Sequence, residues 1–263
     1  MECKAAFSGF PVRFDFAQSL SSIRNQQYNT LEMADKRMID PEEVSVRMTT
    51  YFFPSCKASA QFKQASKNAR VYVKEKLGVG PIGCCRPNHA KLAADDTAVV
   101  VCNNCALIID ENTDADIEFL WEVIDSDPDF PFPDYRGERI TLQDCWIAFD
   151  KPAAHEAVRS LLRKMNIKVV ELAENRENSK FCGPNLCAPC TESNAELARK
   201  RYVEEFPHMF TPMGPDEQAA HFREHCEQIE TDKAVCYCKF CADGINMGGK
   251  TGVHLLELLF PSR

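Results

Sequence analysis

The sequence predicts an α/β fold made of two pseudo-repeated α/β modules. Short apolar runs that are typical of buried strands alternate with helix-length segments whose apolar residues recur at three- and four-residue steps. A cysteine pattern also occurs twice: a single cysteine, a helix-length interval, a one- or two-cysteine turn, and a CxxC. The cysteines fall where the predicted strands stop, at the sheet edge where ligands bind in open α/β folds.

The first module is predicted to span residues 49–125. Its first strand covers residues 49–53 and leads to a single cysteine, and a helix over residues 58–77 ends at a glycine-rich turn. A second buried strand at residues 98–101 runs directly into the CxxC. The cysteines of this first set are Cys56, Cys84, Cys85, Cys102 and Cys105.

A segment rich in proline and aspartate, residues 125–137, reads as a linker to the second module, which is predicted to span residues 138–263. The predicted strands cover residues 139–142 and 167–172, with a further apolar pair at 234–235, and the predicted helices cover residues 152–165, 195–206 and 253–260. The cysteines that repeat the pattern are Cys145, Cys182, Cys236, Cys238 and Cys241.

Residues 1–48 are predicted to form an N-terminal arm that packs on the body or on a partner. The stretch 17–33 has helical apolar spacing, and Cys3 is the arm's single cysteine. Cys3 and Cys226 stand outside the repeated pattern and read as small hydrophobic residues.

The composition is that of an ordinary globular chain, with 44% hydrophobic and 27% charged residues. A net charge of −8 argues against a nucleic-acid partner, which would need a basic surface. No apolar stretch approaches the ~20 residues of a membrane helix, and the chain's start does not resemble a secretion signal, so we expect a cytoplasmic protein without a membrane span.

Fourteen cysteines indicate either disulfides or metal binding. In a reducing compartment disulfides are rare, so clustered cysteines favour metal. A lone CxxC is also typical of a thioredoxin-like redox pair, but two of them, each preceded by matching cysteines, favour thiolate ligands for a soft metal or an iron–sulfur cluster.

The pattern resembles the cysteine-rich CCG domain, which occurs twice in one of the subunits of heterodisulfide reductases. The resemblance covers residues 49–260, and it extends to Pro54 before the first cysteine, to Asp144 before Cys145, to the VRSLL run and to the ending GKTGVHLLELL. It implies a motif of a cysteine, a long spacer, Cys-Cys-Gly, a second spacer and CxxC, which in that family holds a noncubane four-iron four-sulfur cluster through five cysteines.

The resemblance therefore implies one or two 4Fe–4S clusters in this chain. The first site would use the five cysteines of the first set, and the second would use Cys145, Cys182, Cys238 and Cys241. Two departures stand out: Arg86 replaces the family glycine, and Phe181 replaces the first cysteine of the second pair. Cys187, Cys190 and Cys236 lie near enough in sequence to supply a missing ligand to the second site. Without a fifth ligand, four thiolates suit a cubane cluster or a zinc ion equally well.

The resemblance implies an iron–sulfur oxidoreductase subunit that reduces a disulfide or thiol-type small molecule, or relays electrons, beside a ferredoxin-like or flavoprotein partner. The open alternative is a non-redox zinc-binding structural or interaction module. His89, just after the paired cysteines, is a candidate proton donor to a leaving thiolate, and a backbone hydrogen bond is the alternative role. His254 is expected to be packed or to cap the last helix.

Overall fold

The computed structural model describes residues 48–262, and both sheets of the α/β fold lie in this part of the chain. The predicted N-terminal arm, apart from Met48, and Cys3 fall outside the described residues. No helix among residues 48–262 is long and apolar enough to span a membrane.

The first sheet has three parallel strands in the order β1–β2–β3: β1 (Thr50–Phe53), β2 (Thr97–Val100) and β3 (Asp116–Phe119). The connections are helical, as parallel strands require. Their helices are α1 (Cys56–Gln61), α2 (Lys63–Leu77), the short α3 (Cys85–Asn88) and α4 (Asn103–Asn112), and α5 (Leu120–Ser126) follows β3.

The second sheet has four parallel strands in the order β5–β4–β6–β7: β4 (Arg139–Gln143), β5 (Lys168–Glu171), β6 (Lys233–Cys236) and β7 (Thr251–His254). Its helices are α6 (Pro152–Lys164), α7 (Glu192–Leu197), α8 (Pro215–Glu227), α9 (Lys239–Met247) and α10 (Leu255–Leu259), and a π-helical segment covers Lys200–Glu205. Pro152 starts α6, where a missing N–H costs nothing.

The two sheets follow the same plan. Phe52 of β1 also forms a parallel β-bridge with Pro81. This bridge lies at the edge of the first sheet next to β1, just as β5 lies at the edge of the second sheet next to β4. At the opposite edge of each sheet, the last strand leads directly into a helix whose third residue, a glutamate, caps the helix N-terminus. Glu122 accepts from the Phe119 N–H at 2.8 Å, and Glu257 accepts from the His254 N–H at 3.2 Å. The repeat in the cysteine pattern is therefore a repeat in the fold.

One hydrophobic core extends through both sheets. Helix α5 of the first sheet packs against α6 of the second, and Lys164 pairs with Asp125 at 2.7 Å across that contact. The first two residues of the predicted linker end α5, and residues 127–137 have no helix or strand and pack on the core: Phe130 is buried, and the Tyr135 hydroxyl donates to the Leu258 carbonyl at 2.9 Å.

The predicted helix at 58–77 is instead two helices that meet at Phe62, whose ring stacks on His254 with centroids 4.6 Å apart. The predicted helix at 195–206 begins earlier and breaks after Leu197. The segment that follows is capped by the first module, because the Glu111 carboxylate accepts the N–H groups of Lys200 and Arg201 at 2.8 and 2.9 Å.

Two predictions about strands were wrong in part. The run at 167–172 forms β5, but as an edge strand it is half-buried or exposed rather than buried on both faces. The segment predicted as a helix at 253–260 begins as β7, because residues 251–254 pair with β6 before the helix starts at Leu255. Strand β3 was not predicted from the sequence.

Candidate metal centre

Four buried cysteines of the second module form a compact group. The sulfurs of Cys145, Cys182, Cys238 and Cys241 all lie within 4.8 Å of one another. The Cys145 and Cys182 sulfurs are 3.6 Å apart, and those of Cys182 and Cys238 are 4.0 Å apart. Thiolates at this spacing are a donor set for a soft metal.

The parallel sheet explains why these cysteines meet. Cys145 follows β4, Cys182 lies in the loop after β5, and Cys238 follows β6 as the N-cap of α9, whose first turn carries Cys241. All three strands end at the same edge of the sheet. Cys182 approaches α9 closely because Gly183 follows it: a Cβ at Gly183 would lie 1.9 Å from the Phe240 carbonyl oxygen, and its φ is +50°.

A buried network of ion pairs and hydrogen bonds holds the backbone at Cys145 in place. Arg159 pairs with Asp144 at 2.6 Å and with Glu171 at 2.7 Å, and both Arg159 and Asp144 are buried. Burial opposes ionisation of Asp144, but hydrogen bonds from Arg159 lower the pKa of this carboxyl below its ordinary value. Tyr237 joins the network to Cys145, since its hydroxyl accepts the Cys145 N–H at 3.2 Å.

Three of the four thiols have shifted pKa values, and the shifts differ in direction. Burial would raise the pKa of Cys145, but the three neighbouring thiols and the amide of Asn103 favour its thiolate and lower this pKa well below its ordinary value. The bond to the Cys145 thiolate raises the pKa of Cys182, and burial raises that of Cys241. A bound cation would replace the thiol protons, because metal binding deprotonates thiols.

The five cysteines of the first set line one open cavity. These thiols are close enough to shift one another's pKa: the neighbouring cysteines raise the pKa of Cys56 in addition to burial, and the Cys105 thiol lowers that of Cys85. Within residues 48–262 these five do not form a group as compact as the one in the second module. Their role as ligands of a first site stays a prediction.

Cys102 is the N-cap of α4, as Cys238 is of α9. A hydrogen bond from the Cys105 thiol lowers the pKa of Cys102 to about 7, and backbone N–H groups of Cys105 and Asn104 at the helix start add to this effect against burial. A helix N-terminus favours a thiolate in this way. The charge of Cys238 raises the pKa of Cys102, so Cys238 of the second module lies close to Cys102 of the first.

Both modules contribute to the wall of the cavity. Cys238, Phe240 and His254 of the second module face the first set across it. The turn that carries Cys56 is strained, because Ser55 has a φ of +60°, a conformation that non-glycine residues rarely adopt. The Ser55 side chain accepts the Ala58 N–H at 3.2 Å and so starts the helix that begins with Cys56.

The lining residues of the cavity include three cations and neither an aspartate nor a glutamate. Lys57 lies over the Phe240 ring at 4.1 Å, and Arg86 donates to the neutral side chains of Ser193 and Asn194. Of the three, only Lys239 has a carboxylate partner among residues 48–262, and this partner is Asp243. In a chain of net charge −8, the charged side chains of this lining other than thiolates are basic.

The three further cysteines lie outside the group of four. The sulfur of Cys187 lies 3.9 Å from the Gly183 carbonyl oxygen, that of Cys190 lies 3.7 Å from the Thr191 carbonyl oxygen, and Cys236 is buried within β6. Phe181, at the position of the missing paired cysteine, stacks on His225 with centroids 3.8 Å apart.

His89 does not line the cavity, and its Nδ1 lies 3.2 Å from the Cys85 carbonyl oxygen. His254 does line it, and its Nδ1 accepts the Leu256 N–H at 3.2 Å, which confirms the expected cap. Burial lowers the pKa of His254 to about 4, so the ring is neutral near pH 7, with its proton on Nε2. Neither His254 nor Asn103 was expected in the site from the sequence, although Asn103 lies inside a CxxC.

The chain matches no protein-family model, and no curated protein or solved structure shows significant similarity to it.

Proposed function

We propose that this chain is an iron–sulfur redox subunit that reduces a disulfide or thiol-type substrate, or relays electrons, in a complex like heterodisulfide reductase. One observation carries the proposal: two sets of cysteines, one from each repeated sheet, lie next to each other, and Cys238 of the second set lines the same open cavity as the first set. An open cavity walled by thiols gives a small molecule access to whatever the thiols hold.

The residues present fit such a group. Thiolates are the protein ligands of iron–sulfur clusters, and both sets include a thiol at a helix N-terminus. The Cys145 thiolate is held by a buried network whose Asp144 and Arg159 are paired at 2.6 Å. Outer partners of this kind fix the orientation of metal ligands.

An iron–sulfur cluster, when bound, supplies single electrons and an iron that an added thiolate can reach. Cleaving a disulfide into two thiols consumes two electrons and two protons. The electrons would come from a ferredoxin-like or flavoprotein partner, since the sequence carries neither a ferredoxin-type cysteine run nor a dinucleotide fingerprint. Within the chain, Lys57 and Arg86 would attract an anionic substrate, and His254 Nε2–H would donate a hydrogen bond to a thiolate in the cavity.

A specific observation favours a second candidate at the second site, a structural zinc ion. Tetrahedral zinc with bonds of about 2.3 Å places its sulfurs roughly 3.8 Å apart. The measured separations of 3.6 and 4.0 Å agree with this value. In a cubane each thiolate binds a different iron, so the sulfurs would have to move apart. Zinc there would leave redox chemistry to the first site.

Anaerobic production with full iron supply, followed by iron, zinc and sulfide analysis and electron paramagnetic resonance, tests the proposal. We expect about 4 iron atoms per chain for one cluster and about 8 for two. Cys85→Ser should alter the signal of the first site, and Cys241→Ser should remove the metal of the second. Stoichiometric zinc without sulfide would overturn the redox assignment and support the zinc module.

A further inference from the structure

Asn103 is a buried amide without a conventional partner. It is the first residue of α4 and lies between Cys102 and Cys105 in the first module. Its side chain is 2% exposed, and neither the amide nitrogen nor the amide oxygen has a hydrogen-bond partner within residues 48–262. A buried polar group in this state costs about 1 to 3 kcal/mol, so its presence calls for an explanation.

The group that Asn103 faces belongs to the other module. Helix α4 packs on the turn Trp146–Ala148, which directly follows Cys145. The Asn103 side chain lies near the Cys145 sulfur and favours its thiolate form. An amide N–H that donates to a thiolate is a common device for orienting a metal ligand and tuning its charge.

We propose that Asn103 is a positioning residue of the second metal site, supplied by the first module. Its amide N–H donates to the Cys145 sulfur once that sulfur holds a metal. Because the same CxxC turn carries Cys102 and Cys105, metal binding by the second module depends on the folded cysteine turn of the first. The proposal rests on metal binding at the second site, and it holds for iron and for zinc alike.

The test measures metal affinity with zinc alone, so its outcome does not depend on the redox assignment. In a Cys85→Ser background, which disables the first site, zinc is competed from the full-length chain with a chelator. Asn103→Leu removes the donor at nearly constant volume and without adding charge. We expect 10- to 100-fold weaker zinc binding, the usual effect of losing an outer partner.

Asn112→Asp is the matched control, since Asn112 lies at the far end of the same helix and bonds to backbone carbonyls there. Asn103→Asp is the second variant, because it keeps the shape and removes the donor. Wild-type zinc affinity in a folded Asn103→Leu overturns the proposal. If that variant does not fold, Asn103→Asp decides: affinity equal to that of Asn112→Asp overturns the proposal, and affinity at least tenfold weaker supports it.

Discussion

The phenolic hydroxyl of Tyr237 donates to Asp144 Oδ1 at 3.0 Å, and both side chains are buried. Tyr237 lies between Cys236 and Cys238, and Asp144 precedes Cys145, so this bond joins two strand ends that carry thiols of the compact group. The same carboxylate accepts the Arg176 N–H at 2.8 Å, from the segment that leads to Cys182. Asp144 thus organises three of the loops that carry thiols.

We expect Asp144→Asn to destabilise the protein by about 3 kcal/mol, because it leaves Arg159 buried with only Glu171 as its counter-charge. Denaturant unfolding of the full chain measures this change. Asp110→Asn is the control: its pair with Lys151 at 3.2 Å is partly exposed, and we expect a loss below about 1 kcal/mol. Equal losses in the two variants would contradict the role given to Asp144.

Cys241→Ser should remove the metal of the second site, whereas Cys190→Ser should leave it in place. A hydroxyl is a poor substitute for a soft thiolate, and the Cys190 sulfur lies outside the group of four. Metal analysis of the purified variants measures the difference. Loss of metal on replacing Cys190 would show that the second site recruits a fifth thiol.

His254 should make stability depend on pH between about 6.5 and 4. Burial lowers its folded pKa to about 4 from an unfolded value near 6.5, so the unfolded chain binds the proton more readily in this range. The stabilisation is complete above pH 6.5 and is lost as the pH falls toward 4. We expect a loss on the order of 1 to 3 kcal/mol from this group.

Asn at position 254 can still cap α10 but cannot titrate, so His254→Asn should flatten that part of the profile. Unfolding is compared at pH 7 and pH 5 for the wild type and the variant. His208→Asn, at a short 3₁₀ turn away from the cavity, controls for general acid effects. An unchanged slope in His254→Asn would show that another group sets the acid sensitivity.

The sequence predicted the repeated α/β arrangement because that arrangement depends on local features of the chain. Apolar runs of strand length mark β1, β2 and β4, and the cysteines follow those runs directly. Phe181 in place of a cysteine left the second site with four thiolates unless Cys187, Cys190 or Cys236 supplied a fifth. The grouping of Cys145, Cys182, Cys238 and Cys241 then follows from parallel strands ending at one edge.

What the sequence did not predict depends on contacts between distant segments. Thr251–His254 becomes a strand because β6 lies beside it, although the sequence alone reads as the start of a helix. The break after Leu197 requires the Glu111 carboxylate, 89 positions from Lys200. His254 reaches the cavity only because the last helix of the second module packs near Phe62 of the first.

The basic side chains of the cavity predict a preference among small thiols. Lys57 and Arg86 line it without a carboxylate partner within residues 48–262, so an anionic thiol should bind more tightly than a neutral or cationic one. Lys57 is exposed, which limits the effect to about two- to fivefold in affinity. The preference should weaken as salt is added.

Calorimetric titration of the metal-loaded chain with 3-mercaptopropionate, 2-mercaptoethanol and cysteamine measures this preference, because the three thiols differ mainly in the charge of one end. Lys57→Met should bring the affinity for the anionic thiol close to that for the neutral one. Lys91→Met removes the same charge from an exposed residue that does not line the cavity, so the preference should persist there. If both variants lose it equally, the net charge of the chain rather than the cavity selects the thiol.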